Sequence, residues 1–118
     1  MSGLVPTEEE TLRRDLVALE GELRRQIASS DAAARPVDLD DPIGRVSRID
    51  AIQQQRMAEA TRRAAQLRLQ QVRAALERLE EGEYGECAQC GEAVGFARLR
   101  ARPETPFCVA CQSRWEGR

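Results

Sequence analysis

Four cysteines form two Cys-x-x-Cys pairs, Cys87/Cys90 and Cys108/Cys111, and seventeen residues separate the pairs. Two pairs at this separation are typical of a zinc site with four thiolate ligands, in which each pair sits on a short turn. A tetrahedral zinc with four protein ligands leaves no open position for water or substrate. We therefore predict that these four cysteines hold one structural Zn²⁺, in a binding module and not in a zinc hydrolase.

Two other uses of the cysteines remain open on the residues alone. Cys-x-x-Cys also serves thiol–disulfide exchange, although no thioredoxin-like βαβ pattern surrounds it here. Two disulfides in a small secreted domain would also account for four cysteines. The first ten residues have neither a basic start nor an apolar run, so no signal peptide is expected. Metal thiolates persist in a reducing compartment, and we predict a cytoplasmic protein.

The composition suits long helices better than a large globular core. Charged residues make up 32% of the 118 residues and aromatic residues 3%, and Lys is absent. The net charge of −2 argues against a protein that binds nucleic acid over its whole surface. No apolar stretch approaches the roughly 20 residues that span a bilayer.

The segment 7–29 is predicted to form the first helix. Thr7 and Glu10 have the spacing of a capping box. Gly21 costs roughly 1 kcal/mol relative to Ala inside a helix, so this helix needs a partner. Its apolar stripe recurs at spacings of three and four: Leu12, Leu16, Leu19, Leu23 and Ile27.

The segment 47–81 contains neither Gly nor Pro and is predicted to form the second helix. Its start is ambiguous, because both Asp41-Pro42 and Ser47 with Asp50 resemble helix N-termini. Each helix has too narrow an apolar stripe to be stable alone, so we expect the two to pair. The apolar positions lie on two neighbouring faces, one with Ile49, Ile52, Ala60, Ala64 and Leu67, the other with Leu69, Val72, Leu76 and Leu79.

We predict an all-α fold with a small zinc module. Residues 1–83 form an antiparallel coiled-coil hairpin with an acidic tip near 36–46, and residues 84–118 form a four-cysteine zinc finger with a short final helix. The second helix is the longer one, so its end should lie against the zinc finger. Gly91 allows a tight turn after Cys90, and Trp115 is expected to fill the core.

The segment 84–112 combines several short motifs around the cysteines. Tyr84-Gly precedes the first pair, Gly91 follows Cys90, and the run Arg98-Leu-Arg-Ala-Arg102-Pro precedes the second pair. With the cysteine spacing, this combination resembles the DksA/TraR C4-type zinc-finger family.

The resemblance implies a bacterial or phage transcription regulator that is not an enzyme and does not read DNA sequence. Members bind RNA polymerase directly, insert the coiled coil into its secondary channel and direct the acidic tip towards the active centre. Here the tip acids are Asp38, Asp40 and Asp41. The family pattern Asp-x-x-Asp-x-Ala is not intact, since Ile43 stands where Ala is expected.

The resemblance also implies guanosine tetraphosphate as a partner. Arg102 matches a basic position of that site, and Arg98 is a second candidate for contact with nucleotide or polymerase. Counting from the cysteines, Gln71 and Gln112 occupy two positions that are basic in the family. A tetraphosphate requires positive charge, so these two residues argue against the nucleotide.

Two other classes of function compete with this interpretation. A four-cysteine finger that reads DNA would need a basic helix after the second pair, and Gln112–Arg118 is short and weakly charged. A zinc-stabilised coiled-coil scaffold, or a dimerising protein, would expose its apolar stripe beyond residue 69. Burial of that stripe against the zinc finger predicts a monomer.

Overall fold

A computed structural model of the protein describes residues 3–33 and 45–117. Within them the only β-pairing is an isolated antiparallel bridge between Glu86 and Ala93. The all-α fold with a small four-cysteine module is thus confirmed. The helices of these two described ranges follow in the order α1 Pro6–Ala33, α2 Arg45–Glu81, α3 Phe96–Ala101 and α4 Val109–Glu116.

The predicted acidic tip falls between α1 and α2. Asp38, Asp40, Asp41 and Ile43 lie outside the residues that the structure describes. None of the described helices combines the length and the hydropathy that a membrane span requires.

The start of α1 differs from the predicted capping box. The helix begins at Pro6, whose fixed φ suits the first helical position. Glu8 reaches back to the preceding residue, and its Oε1 accepts a hydrogen bond from the Val5 amide at 3.1 Å. Thr7 lies inside the helix, and its carbonyl accepts a hydrogen bond from the Thr11 hydroxyl at 3.0 Å. The capping-box prediction for Thr7 and Glu10 was therefore wrong, because the helix already begins at Pro6, before Thr7.

Helix α2 has 37 residues and is about 55 Å long at 1.5 Å per residue. It begins at Arg45, so Ser47 is inside the helix and is not its N-cap. At the other end Gly82 adopts a φ of 78°, a left-handed conformation that glycine reaches without strain. The Glu83 amide then donates to the Arg78 carbonyl at 2.8 Å and closes the helix end.

The seam between α1 and α2 follows only one of the two predicted faces of α2. Leu67 is 59% exposed and Ile49 is 61% exposed, so these two residues of the first predicted face do not line the seam. Leu67 lies about 200° around the helix from Leu69, whereas Ala65 lies one turn before Leu69 and on the same face as Leu69. The buried seam consists of Leu12, Leu16 and Leu23 from α1 and Ala65, Leu69, Val72, Ala75 and Leu79 from α2.

The core continues from the hairpin into the zinc finger. Tyr84 and Leu99 are buried in the same cluster as the helix seam. The end of α2 thus lies against the zinc finger, as predicted. Trp115 does not fill this core, contrary to the prediction, and its side chain is 70% exposed. It lies in the last turn of α4 and lines grooves at the surface beside Cys111 and α2.

Candidate metal centre

The four cysteine sulfurs converge at one point. All four Sγ atoms lie within 4.8 Å of one another, and those of Cys90 and Cys108 are 3.7 Å apart. A tetrahedral zinc with Zn–S bonds of about 2.3 Å places its sulfurs about 3.8 Å apart. All four thiols are free, which is contrary to the disulfide alternative. The cluster can therefore hold one structural zinc ion.

The first pair sits on a tight turn between α2 and α3. Gly91 has a φ of 78°, and its amide donates to the Cys87 carbonyl at 2.9 Å. The Cys87 amide donates in turn to the Glu92 carbonyl at 2.8 Å. These bonds fold the chain back on itself, so that Cys87 and Cys90 present their sulfurs on the same side.

The second pair is held by the start of α4. Cys108 is the N-cap residue with extended backbone angles, and Cys111 lies in the first turn. The Gln112 amide donates to the Cys108 carbonyl at 2.9 Å. Residues three apart on a helix share a face, which brings the two sulfurs together.

Hydrogen bonds and burial give the sulfurs different acidities. Burial alone would raise the pKa of Cys87, but backbone amides of Cys108, Cys90 and Gln89 donate to its sulfur and lower the pKa to about 6. Burial and the neighbouring thiols raise the pKa of Cys111 to about 12, and Arg114 opposes this rise. A bound cation favours the thiolate at every position.

Arg114, which was not predicted from the sequence, contacts the metal centre from outside. Its guanidinium donates to the Cys111 sulfur at 3.3 Å. The signal was present in the sequence, because an arginine three residues after a ligand on a helix lies on the same face.

Tyr84 joins the turn that carries Cys87 and Cys90 to the segment that precedes Cys108 and Cys111. Its side chain is 3% exposed, and its hydroxyl donates to the Pro103 carbonyl at 2.8 Å. Burial is the main cause that raises the pKa of Tyr84 above its usual range, and the charges of Asp15 and Glu104 add to the rise while Arg78 opposes it. Arg78 also donates to the Glu86 carbonyl, which ties the end of α2 to the first turn.

Two ion pairs join the zinc finger to the hairpin. Arg100 of α3 lies 3.2 Å from Asp15 of α1. Arg68 of α2 lies 2.9 Å from Glu104, whose side chain is only 4% exposed. Glu104 was not predicted from the sequence, because its partner is 36 residues away.

A groove of about 550 Å³ runs between α2 and the zinc finger. It brings together Gln71, Arg102 and Gln112, the three residues that the resemblance places in a nucleotide site. Among the described residues, Arg98 does not line this groove, and its Nε donates to the Phe107 carbonyl at 3.1 Å inside the module. Arg68 also lines the groove, but its charge is compensated by Glu104.

The segment that carries the four cysteines is similar to a known type of zinc finger. Residues 82–116 match the sequence model of the prokaryotic dksA/traR C4-type zinc finger. The C-terminal module therefore matches a zinc finger of this type, in agreement with the resemblance.

Curated relatives extend the similarity into the hairpin. RNA polymerase-binding transcription factor DksA of Caulobacter vibrioides is 39% identical over 53% of this chain and 50% of its own length. The Escherichia coli K12 protein of the same name is 31% identical over 38% of this chain and 30% of its own length. The match spans about half the length of the Caulobacter relative and less than a third of the length of the Escherichia coli relative.

The similarity in structure covers more of the chain. The structure of transcription factor DksA2 from Pseudomonas aeruginosa matches 95% of this chain and 85% of that protein, with a TM-score of 0.73 and 26% sequence identity. The hairpin and the zinc finger therefore share one architecture with DksA2.

Proposed function

Because its C-terminal module is a DksA/TraR zinc finger, we propose that this protein binds bacterial RNA polymerase directly and regulates transcription initiation. The fold match with DksA2 over 95% of the chain is the observation that supports this most strongly. The Caulobacter and Escherichia coli relatives are named for polymerase binding. Such a regulator acts in the cytoplasm and has no catalysis of its own.

In this proposal the length of the hairpin allows the protein to extend into the polymerase channel. Helix α2 is about 55 Å long, enough for a narrow rod to enter a channel while the zinc finger stays at the surface. The Arg68–Glu104 and Arg100–Asp15 ion pairs fix the zinc finger relative to the rod. In the proposed complex, the acids of the segment between α1 and α2, Asp38, Asp40 and Asp41, alter the electrostatic field near the polymerase active centre.

The groove beside α2 is the proposed site of a further contact with polymerase or nucleotide. Arg102 is exposed and lines this groove, whereas Arg98 is engaged inside the module, so Arg102 is the stronger candidate. With glutamine at positions 71 and 112 and a carboxylate at Glu104, the groove is poorly matched to four phosphates. We expect regulation that does not depend on guanosine tetraphosphate.

Two structural features argue against the competing functions. Helix α4 has eight residues and a single basic side chain, Arg114, which contacts a cysteine sulfur. It is therefore a poor DNA-reading helix. Beyond residue 69 the apolar residues Val72 and Leu79 are buried against the rest of the chain, which supports a monomer.

The test compares the zinc-loaded wild type with a variant that carries Asp38→Ala, Asp40→Ala and Asp41→Ala. Both proteins should bind RNA polymerase, and only the wild type should change the lifetime of promoter complexes. An unchanged lifetime with wild-type protein that is demonstrably bound would contradict the regulatory proposal. Equal effects of the two proteins would instead remove the role of the acidic tip.

A further inference from the structure

Cys111 receives a charged hydrogen-bond donor at its sulfur. Cys87 is approached by backbone amides of its own turn and of Cys108, and Cys90 by the amide of Glu92. At Cys111 a guanidinium NH₂ of Arg114 donates at 3.3 Å. A hydrogen bond between an ionised donor and a thiolate is stronger than one from a neutral amide.

The charge of the centre makes this donor important. A zinc ion with four thiolates carries a net charge of −2. Cys111 is only 4% exposed, so water stabilises its share of that charge poorly. Two other arginines of the module have different partners, since Arg98 donates to the Phe107 carbonyl and Arg100 to Asp15.

The surface beside Cys111 is open in one place. A small pocket of about 140 Å³ is lined by Gln89, Cys111, Arg114 and Trp115. Cys111 is the one cysteine among these lining residues. Arg114 therefore lies at the open side of the buried ligand to which it donates.

We propose that Arg114 is a positioning residue for the zinc site, which donates to the Cys111 sulfur, compensates part of the charge of the centre and slows loss of the metal. Groups in the second coordination shell typically change metal affinity about 10–100-fold. This role is independent of any effect on polymerase.

The test measures zinc release from the full-length, zinc-loaded protein into an excess of the chromophoric chelator 4-(2-pyridylazo)resorcinol. Arg114→Gln should release zinc about 10-fold faster than the wild type. Arg114→Lys keeps the charge but loses the planar donor, and should fall between the two. Arg102→Gln is the matched control, because it removes the same charge from the same module at an exposed position away from the sulfurs.

A spectroscopic measurement separates a role at the sulfur from a general effect on folding. In the Co²⁺-substituted protein, Arg114→Gln should shift the sulfur-to-metal charge-transfer band, and Arg102→Gln should leave it in place. Equal release rates for wild type and Arg114→Gln would overturn the proposal. Equal acceleration by Arg102→Gln would also overturn it, because only net charge would then matter. Should Arg114→Gln fail to fold, a release rate of Arg114→Lys equal to that of wild type would have the same consequence.

Discussion

Arg68 of α2 and Glu104 of the zinc finger form an ion pair of 2.9 Å between Nε and Oε1. The Glu104 side chain is almost fully buried, whereas the Arg68 side chain is 42% exposed. The second carboxylate oxygen, Oε2, is buried without a hydrogen-bond partner in the described part of the chain. The ion pair joins the zinc finger to the hairpin, and among the described residues the buried Glu104 carboxylate is stabilised by Arg68 alone.

Removing that partner should be costly. Arg68→Ala leaves the Glu104 carboxylate buried and unpaired, and we expect the free energy of unfolding to fall by about 2–3 kcal/mol, less than for a pair in which both groups are buried. The double variant Arg68→Ala/Glu104→Gln should recover part of this loss, because no uncompensated charge remains. Urea denaturation of the zinc-loaded proteins measures both values, and strictly additive effects would contradict the coupling.

The seam of the hairpin should depend on Leu16. Its side chain is fully buried between the helices, so Leu16→Ala should lower the free energy of unfolding by about 3 kcal/mol through lost burial and a cavity. Val17→Ala is the control, since the adjacent Val17 is 57% exposed and should change stability by about 0.5 kcal/mol or less. Similar losses in the two variants would contradict the observed seam.

Tyr84 should make stability fall at alkaline pH. Its pKa is raised in the folded protein above the usual value of 10.0, so above about pH 10 the unfolded chain releases this proton while the folded chain keeps it. The stabilisation is complete below that pH and is lost as pH rises. Tyr84→Phe removes this contribution, so its stability curve between about pH 9 and 11 should be flatter than that of wild type. Identical slopes would exclude Tyr84 as the cause.

Removing the metal should unfold the zinc finger before the hairpin. The finger has few buried apolar residues, and without the cation it loses the metal–sulfur bonds that join its two cysteine turns. The α1–α2 seam needs no metal, so much of the far-ultraviolet circular dichroism should persist in excess chelator. The melting temperature should fall, because Tyr84 and Leu99 belong to the same core. An unchanged melting curve after verified zinc loss would show that the metal is not structural.

Local patterns in the sequence predicted the parts of the fold that local geometry determines. Cysteine spacing predicted the cluster, because two turns of fixed size limit where the sulfurs can lie. Spacings of three and four correctly predicted Leu12, Leu16 and Leu23 as buried. These predictions succeeded because each depends on residues within one turn or one helix face.

Contacts between distant segments could not be predicted from such local patterns. Ala65 on the seam looks like any other alanine of α2, and only packing against α1 distinguishes it from Ala64. Trp115 was expected in the core because of its apolar size, yet the core ends before the last turn of α4. The partner of Glu104 could not be read from spacing, since Arg68 is on another element.

The most direct test of the central claim is binding of the purified, zinc-loaded chain to bacterial RNA polymerase. Analytical ultracentrifugation with a labelled protein would measure the complex, and unlabelled DksA would serve as competitor. We predict a one-to-one complex from which DksA displaces the labelled protein, because both would occupy the same channel. Absence of a complex at micromolar concentrations, or binding that excess DksA leaves unchanged, would contradict the account.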